Sequence, residues 1–213
     1  MSIADKFEVI ADAVYDKGVS DGKKSQYDEF WDYYQDNGDR KDYFYAFSGK
    51  GWDDNTYNPK YDLNITSAGV VFQNSLITDT KKSIKLNIPN SGACATFYGA
   101  QSLEKIPELN LQKDIYFANT AFRSCKNLIE INIAGSGQMA CASNNTQKTI
   151  EFDSTKLNAE SIENIINALK DGVTGYTLKF TADAVNNAFE GGETSEEWKA
   201  LKASKPNWTI AIG

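Results

Sequence analysis

ATFYGAQSLEKIPELNLQKDIYFANTAFRSCKNLIEINI, residues 95–133, states one pattern twice. Phe97, Leu103 and Ile106 recur 25 residues later as Phe122, Leu128 and Ile131. Each copy closes on an alternating apolar segment, Leu109-Asn110-Leu111 and then Ile131-Asn132-Ile133. A fixed period between 20 and 50 residues marks a stack of similar coils. Alternation with a period of two marks one short strand per coil, with one face turned inward. A single coil cannot bury that face alone, so neighbouring coils must stack and their strands must pair in parallel.

The phase extends in both directions. Phe72 lies a further 25 residues before Phe97, with Thr78 where the Leu would stand, which predicts a degenerate first coil from about Leu63 with its strand over 84–88. Beyond Gly135-Ser136-Gly137 the period lengthens, but strands continue at Ile150 to Phe152, Tyr176 to Phe180 and Trp208 to Ile212. Between them Asn158 is placed to cap a helix with the face Ile162, Ile165, Ile166 and Leu169, and Gly172 to stop it. Thr181 is placed to cap a short helix through Ala188. Thr194-x-x-Glu197 reads as a capping box before Trp198 and Leu201, in a helix that Pro206 breaks. Strand-helix-strand order of this kind requires parallel pairing with right-handed crossovers.

The first sixty residues differ. Ile3, Phe7, Ile10 and Val14 are spaced 4, 3 and 4, which predicts an amphipathic helix capped by Ser2 and ended by Gly18. That stripe serves either for packing on the chain itself or for self-association. A second helix is predicted over 22–35, with Tyr27, Phe30, Trp31 and Tyr34 on one face. Seven of the eleven tyrosines lie between Tyr15 and Tyr57, so a boundary is expected near Tyr61, separating a module over 1–61 from a solenoid over 62–213. The aromatics either cap the open end of the stack or, through Tyr33, Tyr43, Tyr45 and Trp52, offer flat amphipathic surface to a carbohydrate or peptide. The acidic runs Asp36 to Asp39 and Asp53 to Asn55 lack the spacing and distal Glu of a calcium loop and read as turns.

Composition narrows the chemistry. Hydrophobic residues at 41% and charged residues at 24% are ordinary for a globular protein. A net charge of -7 and a pI near 4.7 argue against nucleic acid or an anionic membrane as partner. There is no histidine, which removes the commonest general base and zinc ligand. Cys94, Cys125 and Cys141 show no Cys-x-x-Cys spacing and read as buried core residues. No Gly-x-Ser-x-Gly or phosphate-binding loop is present, and no spacing selects a carboxylate pair among the 29 acidic residues. No catalytic residue, metal or cofactor is therefore expected. The N-terminal residues carry no basic and apolar secretion pattern, and no run reaches 18 apolar residues, so synthesis and folding in a cytoplasm and no membrane insertion are expected.

Two coils resemble a known family. Ala121, Phe122, Cys125, Leu128, Ile131 and Ile133 match the unit A-F-x-x-C-x-x-L-x-x-I-x-I of BspA-like bacterial leucine-rich repeats, and Thr96, Phe97, Ala100, Leu103 and Ile106 match it with Ala100 at the Cys position. The segment from Phe152 to Gly213, and the opening IADAVYDKGVSDGKKSQYDEFWDYYQDNG, are similar to leucine-rich proteins encoded in phages and prophages of Gram-positive bacteria. The resemblance implies an α/β leucine-rich-repeat solenoid with Phe and Leu inside, Cys125 in the core and a parallel sheet of about six short strands behind a helical aromatic cap. It further implies a non-enzymatic phage tail or tail-tip protein in the virion, whose partners are itself, other particle proteins, or a host surface protein or glycan. A bacterial cell-surface adhesion module and a carbohydrate-binding module are the alternatives.

Overall fold

The stacked coils are present in the computed structural model, which describes residues 47–59, 61–66, 69–88 and 94–213. Within them the chain winds into a parallel β-solenoid of about four turns with few helices. Nine strands form three sheets. The first contains β1 (Leu63–Ile65), β2 (Ile84–Leu86), β3 (Lys105–Leu111) and β5 (Glu130–Ala134) in the order β1-β2-β3-β5. The second pairs β4 (Ile115–Phe117) with β6 (Met139–Cys141), and the third runs β7 (Thr149–Phe152), β8 (Tyr176–Phe180), β9 (Trp208–Ile212). Every strand pair is parallel.

Sequence reading expects one parallel sheet of about six short strands, and the described residues instead form nine strands in three sheets. The three strands it misses have physical reasons to be silent. β1 alternates but stands 21 residues before its partner in β2, and β4 stands 24 before its partner in β6, so neither falls on the 25-residue phase. In β6 all three residues, Met139, Ala140 and Cys141, are buried, so no polar position alternates with the apolar ones. β3 also begins earlier than expected. It accommodates Pro107 because the register slips between Ile106 and Leu109, a bulge that removes the ladder bond a proline cannot make.

A column of phenylalanines runs through the core. Phe47, Phe72, Phe97 and Phe122 follow one another at 25-residue intervals, and Phe152 and Phe180 continue the line. Ring centroids are 5.3 Å apart for Phe47 and Phe72, 5.5 Å for Phe72 and Phe97, 5.5 Å for Phe97 and Phe122, 4.3 Å for Phe122 and Phe152, and 5.8 Å for Phe152 and Phe180. All six rings are buried. Each contributes roughly 1.5 to 3 kcal/mol of burial, to which the offset stacking adds. Leu103, Ile106, Leu128 and Ile131 fill the space beside them, and Cys94, Cys125 and Cys141 are buried free thiols as expected.

Two residues after Phe47, Phe72, Phe97 and Phe122 the backbone turns left-handed. Gly49 (φ 93°), Asn74 (φ 57°), Gly99 (φ 73°) and Ser124 (φ 65°) hold this conformation at the same 25-residue spacing. At Gly99 a side chain is disfavoured on two counts, the positive φ and an added Cβ that would force Asn74 Oδ1 on the preceding coil to move aside.

The coil reaches back past the boundary expected at Tyr61. Phe47 N donates to Val71 O at 2.9 Å, Gly49 N to Gln73 O at 2.7 Å and Leu76 N to Trp52 O at 2.7 Å, so 47–59 is built into the stack. The predicted N-terminal helices lie outside the described residues.

The later coils carry helices. α1 (Ala159–Ala168) starts where Asn158 Oδ1 accepts the Ser161 N–H at 2.8 Å, and buries Ile162, Ile165 and Ile166. It lies where the next strand of the first sheet would be. Ser161 Oγ accepts the Ile131 N–H at 2.9 Å and donates to Ile129 O at 3.2 Å, so one hydroxyl supplies bonds that a strand would have made. α2 (Ala182–Ala188) is capped by Thr181, as its sequence predicts. α3 (Glu196–Ala203) is capped one residue later than expected. Gly191 and Gly192, both at positive φ, allow a 3-10 turn over Gly192–Thr194 that directs the Thr194 hydroxyl to Gly191 O, leaving Ser195 Oγ to accept the Trp198 N–H at 3.2 Å. Trp198 then lies edge-on against Phe180, 6.1 Å between centroids, and covers that end of the aromatic column.

Candidate functional site

Alternation in the first sheet sends every second side chain outward. Register aligns Asn64 on β1 with Lys85 on β2, Asn110 on β3 and Ala134 on β5, one row crossing four strands. Asn64 and Asn132 are exposed, and Lys85 and Asn110 are half-buried. Flanking side chains hold two members of the row, Lys85 and Asn110. Lys85 Nζ meets Asp62 at 3.0 Å, Glu108 Oε1 accepts Ser83 Oγ at 3.0 Å and Asn110 Nδ2 at 3.0 Å, and Gln112 Nε2 donates to Asn110 Oδ1 at 2.5 Å. Lys105 and Glu130, also aligned by register, pair at 2.7 Å. The Glu130 carboxylate beside it pushes the Lys105 ammonium above its usual range. The result is a flat polar face of short amides and internally paired charges, fixed in place by the buried residues beneath.

The third sheet presents a second row. Thr149, Thr177 and Thr209 align across β7, β8 and β9, and next to them Lys179 Nζ meets Glu151 at 3.1 Å. The second sheet offers no such face. Tyr116 is aligned with Ala140, and the residue before Lys170 bridges Met139, but Ala140 is fully buried and Lys170 is tied to Asp114.

Of the residues selected from sequence, Ile3, Phe7, Ile10, Val14, Tyr33, Tyr43 and Tyr45 lie outside the described residues. Trp52 is placed in the core, 5% exposed, with its ring 5.2 Å from that of Phe47 and edge-on to it. Its ring is packing material and not open surface. Tyr57 is likewise buried and donates its hydroxyl to Thr80 O at 3.0 Å. The outward row across the first sheet went unselected, because single Asn and Lys residues between apolar neighbours carry no signal until register places them side by side.

The acidic run at Asp53 forms a turn, as its spacing predicts. Asp53 Oδ1 accepts the Asn55 and Thr56 N–H groups at 2.9 and 3.0 Å, and the Asp54 carboxylate accepts the Thr78 N–H at 2.9 Å and its hydroxyl at 2.7 Å, clamping one coil to the next. No group of three or more potential metal ligands occurs among the described residues, and no helix among them is long and apolar enough to cross a membrane. Burial pushes the Cys125 and Cys141 thiols up to about 12 and raises Cys94 as well. All three are protonated near neutrality and are poor nucleophiles. No protein-family model, curated protein or solved structure matches the chain.

Proposed function

We propose that this chain is a non-enzymatic interaction scaffold of the BspA-like leucine-rich kind, carried in a phage or prophage particle as a tail or tail-tip component. The observation that carries the reading is the row Asn64, Lys85, Asn110 with its flanking paired charges, a preorganised polar face four strands wide. A face whose side chains are already held in place loses little conformational freedom on binding, which favours a protein partner read by hydrogen bonds. Its outward residues on the first sheet include no aromatic ring for a sugar to stack on. The phage setting rests on the similarity of the chain's two ends to leucine-rich proteins encoded in phages and prophages. Mass spectrometry of purified particles tests it: peptides of this chain at a fixed ratio to known particle proteins are expected. Their absence from particles made by cells that produce the protein would overturn it.

A further inference from the structure

Four charged residues lie in the strands of the first sheet: Lys85, Lys105, Glu108 and Glu130. Lys85 is paired with Asp62 and Lys105 with Glu130. Glu108 forms no ion pair among the described residues. Its carboxylate is held at one oxygen only. Ser83 Oγ and Asn110 Nδ2 both donate to Oε1, each at 3.0 Å, and Oε2 receives no hydrogen bond among the described residues. Oε2 is not sealed in either, since the buried side-chain oxygens without a partner there are Ser75 Oγ and Gln138 Oε1. The backbone aims this group. The ladder slips between Ile106 and Leu109, so Pro107 and Glu108 together stand opposite Asn132 alone. A bulge of this kind redirects a side chain, and the ring of Pro107 locks φ at the slip.

We infer that Glu108 is the point at which this face receives a basic side chain, a lysine or arginine of the protein partner, an assignment that rests on reading the face as a protein-binding surface. Charge decides the partner's chemistry. The pairs Asp62 with Lys85 and Lys105 with Glu130 cancel, and the charge left over in these strands is the negative one on Glu108. A neutral or acidic segment seated there would take that charge out of water and leave it unpaired, which is penalised. A lysine or arginine instead makes a charge-assisted bond to Oε2. Two donors on Oε1 restrict the carboxylate before any partner arrives, so little freedom is lost on binding. Asn132, across the bulge and exposed, has a side-chain amide with no hydrogen bond among the described residues and offers a second acceptor beside the first.

The test is a nuclear magnetic resonance titration of the full chain with the acetylated and amidated peptide Gly-Arg-Gly, with Gly-Gln-Gly blocked in the same way as the neutral control. The arginine peptide is expected to shift the backbone amide signals of Glu108 and Asn132 and the side-chain amide of Asn132. Signals beside the exposed helix carboxylates Glu160, Glu163 and Glu197 should move less, and the neutral peptide should move none of them. Glu108→Gln keeps an oxygen for Ser83 and Asn110 and should lower the affinity for the arginine peptide about fivefold with the circular dichroism unchanged. Shifts as large at the helix carboxylates as at Glu108, or a Glu108→Gln chain that binds the peptide as tightly as the wild type, would overturn the assignment. Shifts confined to Glu108 and Asn132, together with absence of the chain from purified particles, would keep this site and remove the phage setting.

Discussion

Phe72 and Phe97, 25 residues apart in sequence, stack with centroids 5.5 Å apart and ring planes 2° from parallel. That relationship converts a sequence period into a translation in space for this pair of coils, while elsewhere in the column the ring planes tilt by 17° to 29°. Truncating a ring in mid-column removes contacts on both sides. Phe97→Ala is expected to cost about 3 to 5 kcal/mol and Leu128→Ala about 2 to 5 kcal/mol, whereas Lys126→Ala on the exposed surface should stay under about 0.5 kcal/mol. Urea unfolding followed by far-ultraviolet circular dichroism checks the order, and equal effects would contradict the stacking.

The left-handed corners make a second case. Gly99→Ala should cost about 2 kcal/mol or more, since it meets both positive φ and Asn74 Oδ1. Gly172 shares the φ of 73° but has open space around its Cβ position, so Gly172→Ala should cost only the conformational part, roughly 1 to 2 kcal/mol. Adding Asn74→Gly to Gly99→Ala should recover the excess, which a double-mutant cycle in melting temperature measures.

Ser161 stands in for a strand. Ser161→Ala leaves the buried Ile131 N–H without its acceptor, while Ile129 C=O keeps the Asn158 N–H, and a loss of about 1 to 3 kcal/mol is expected. Hydrogen exchange should locate it: the Ile131 amide accelerates far more than amides of β8.

The buried thiols give the chain an alkaline limit. Cys125 and Cys141 are raised to about 12 from 9.0, so the folded state binds more protons than the unfolded state between those values. Their contribution is therefore complete below pH 9, falls as pH rises through that window and is gone above about 12. Stability measured from pH 7 to 11 should be level to about pH 9 and then decline, and a thiol reagent at pH 7 should label the native coil only at the rate of its opening. Conversion of all three Cys to Ala or Ser, refolded, should flatten the decline.

How much of this was legible in the sequence can be seen residue by residue. The period from Phe72 to Phe122, the inward Leu and Ile positions and the caps at Asn158 and Thr181 follow from spacing alone, because each is a local pattern with one physical solution. Phe47 obeys the same spacing but sits at the end of Tyr43-Phe44-Tyr45-Ala46-Phe47, where several aromatics compete for the phase, so the coil's earlier start was hidden. β6 was hidden by burial on both faces, and β4 by its 24-residue spacing from β6, off the main period. Partition into three sheets depends on where each coil bends, as between β3 and β4 at residues 112–114, which no local pattern marks. The outward row of the first sheet was illegible for a further reason: Leu63 pairs with Ile84 across 21 residues and Ile84 with Leu109 across 25, so no single period aligns Asn64, Lys85 and Asn110.

That row carries the central claim, and the most direct measurement is the copy number of this chain in purified particles for the wild type and for Asn64→Lys with Asn110→Lys, two outward changes that leave the core intact. The account predicts a fixed whole-number ratio for the wild type and at least a tenfold drop for the folded variant. Particles that lack the wild-type chain, or that take up the variant undiminished, would contradict it.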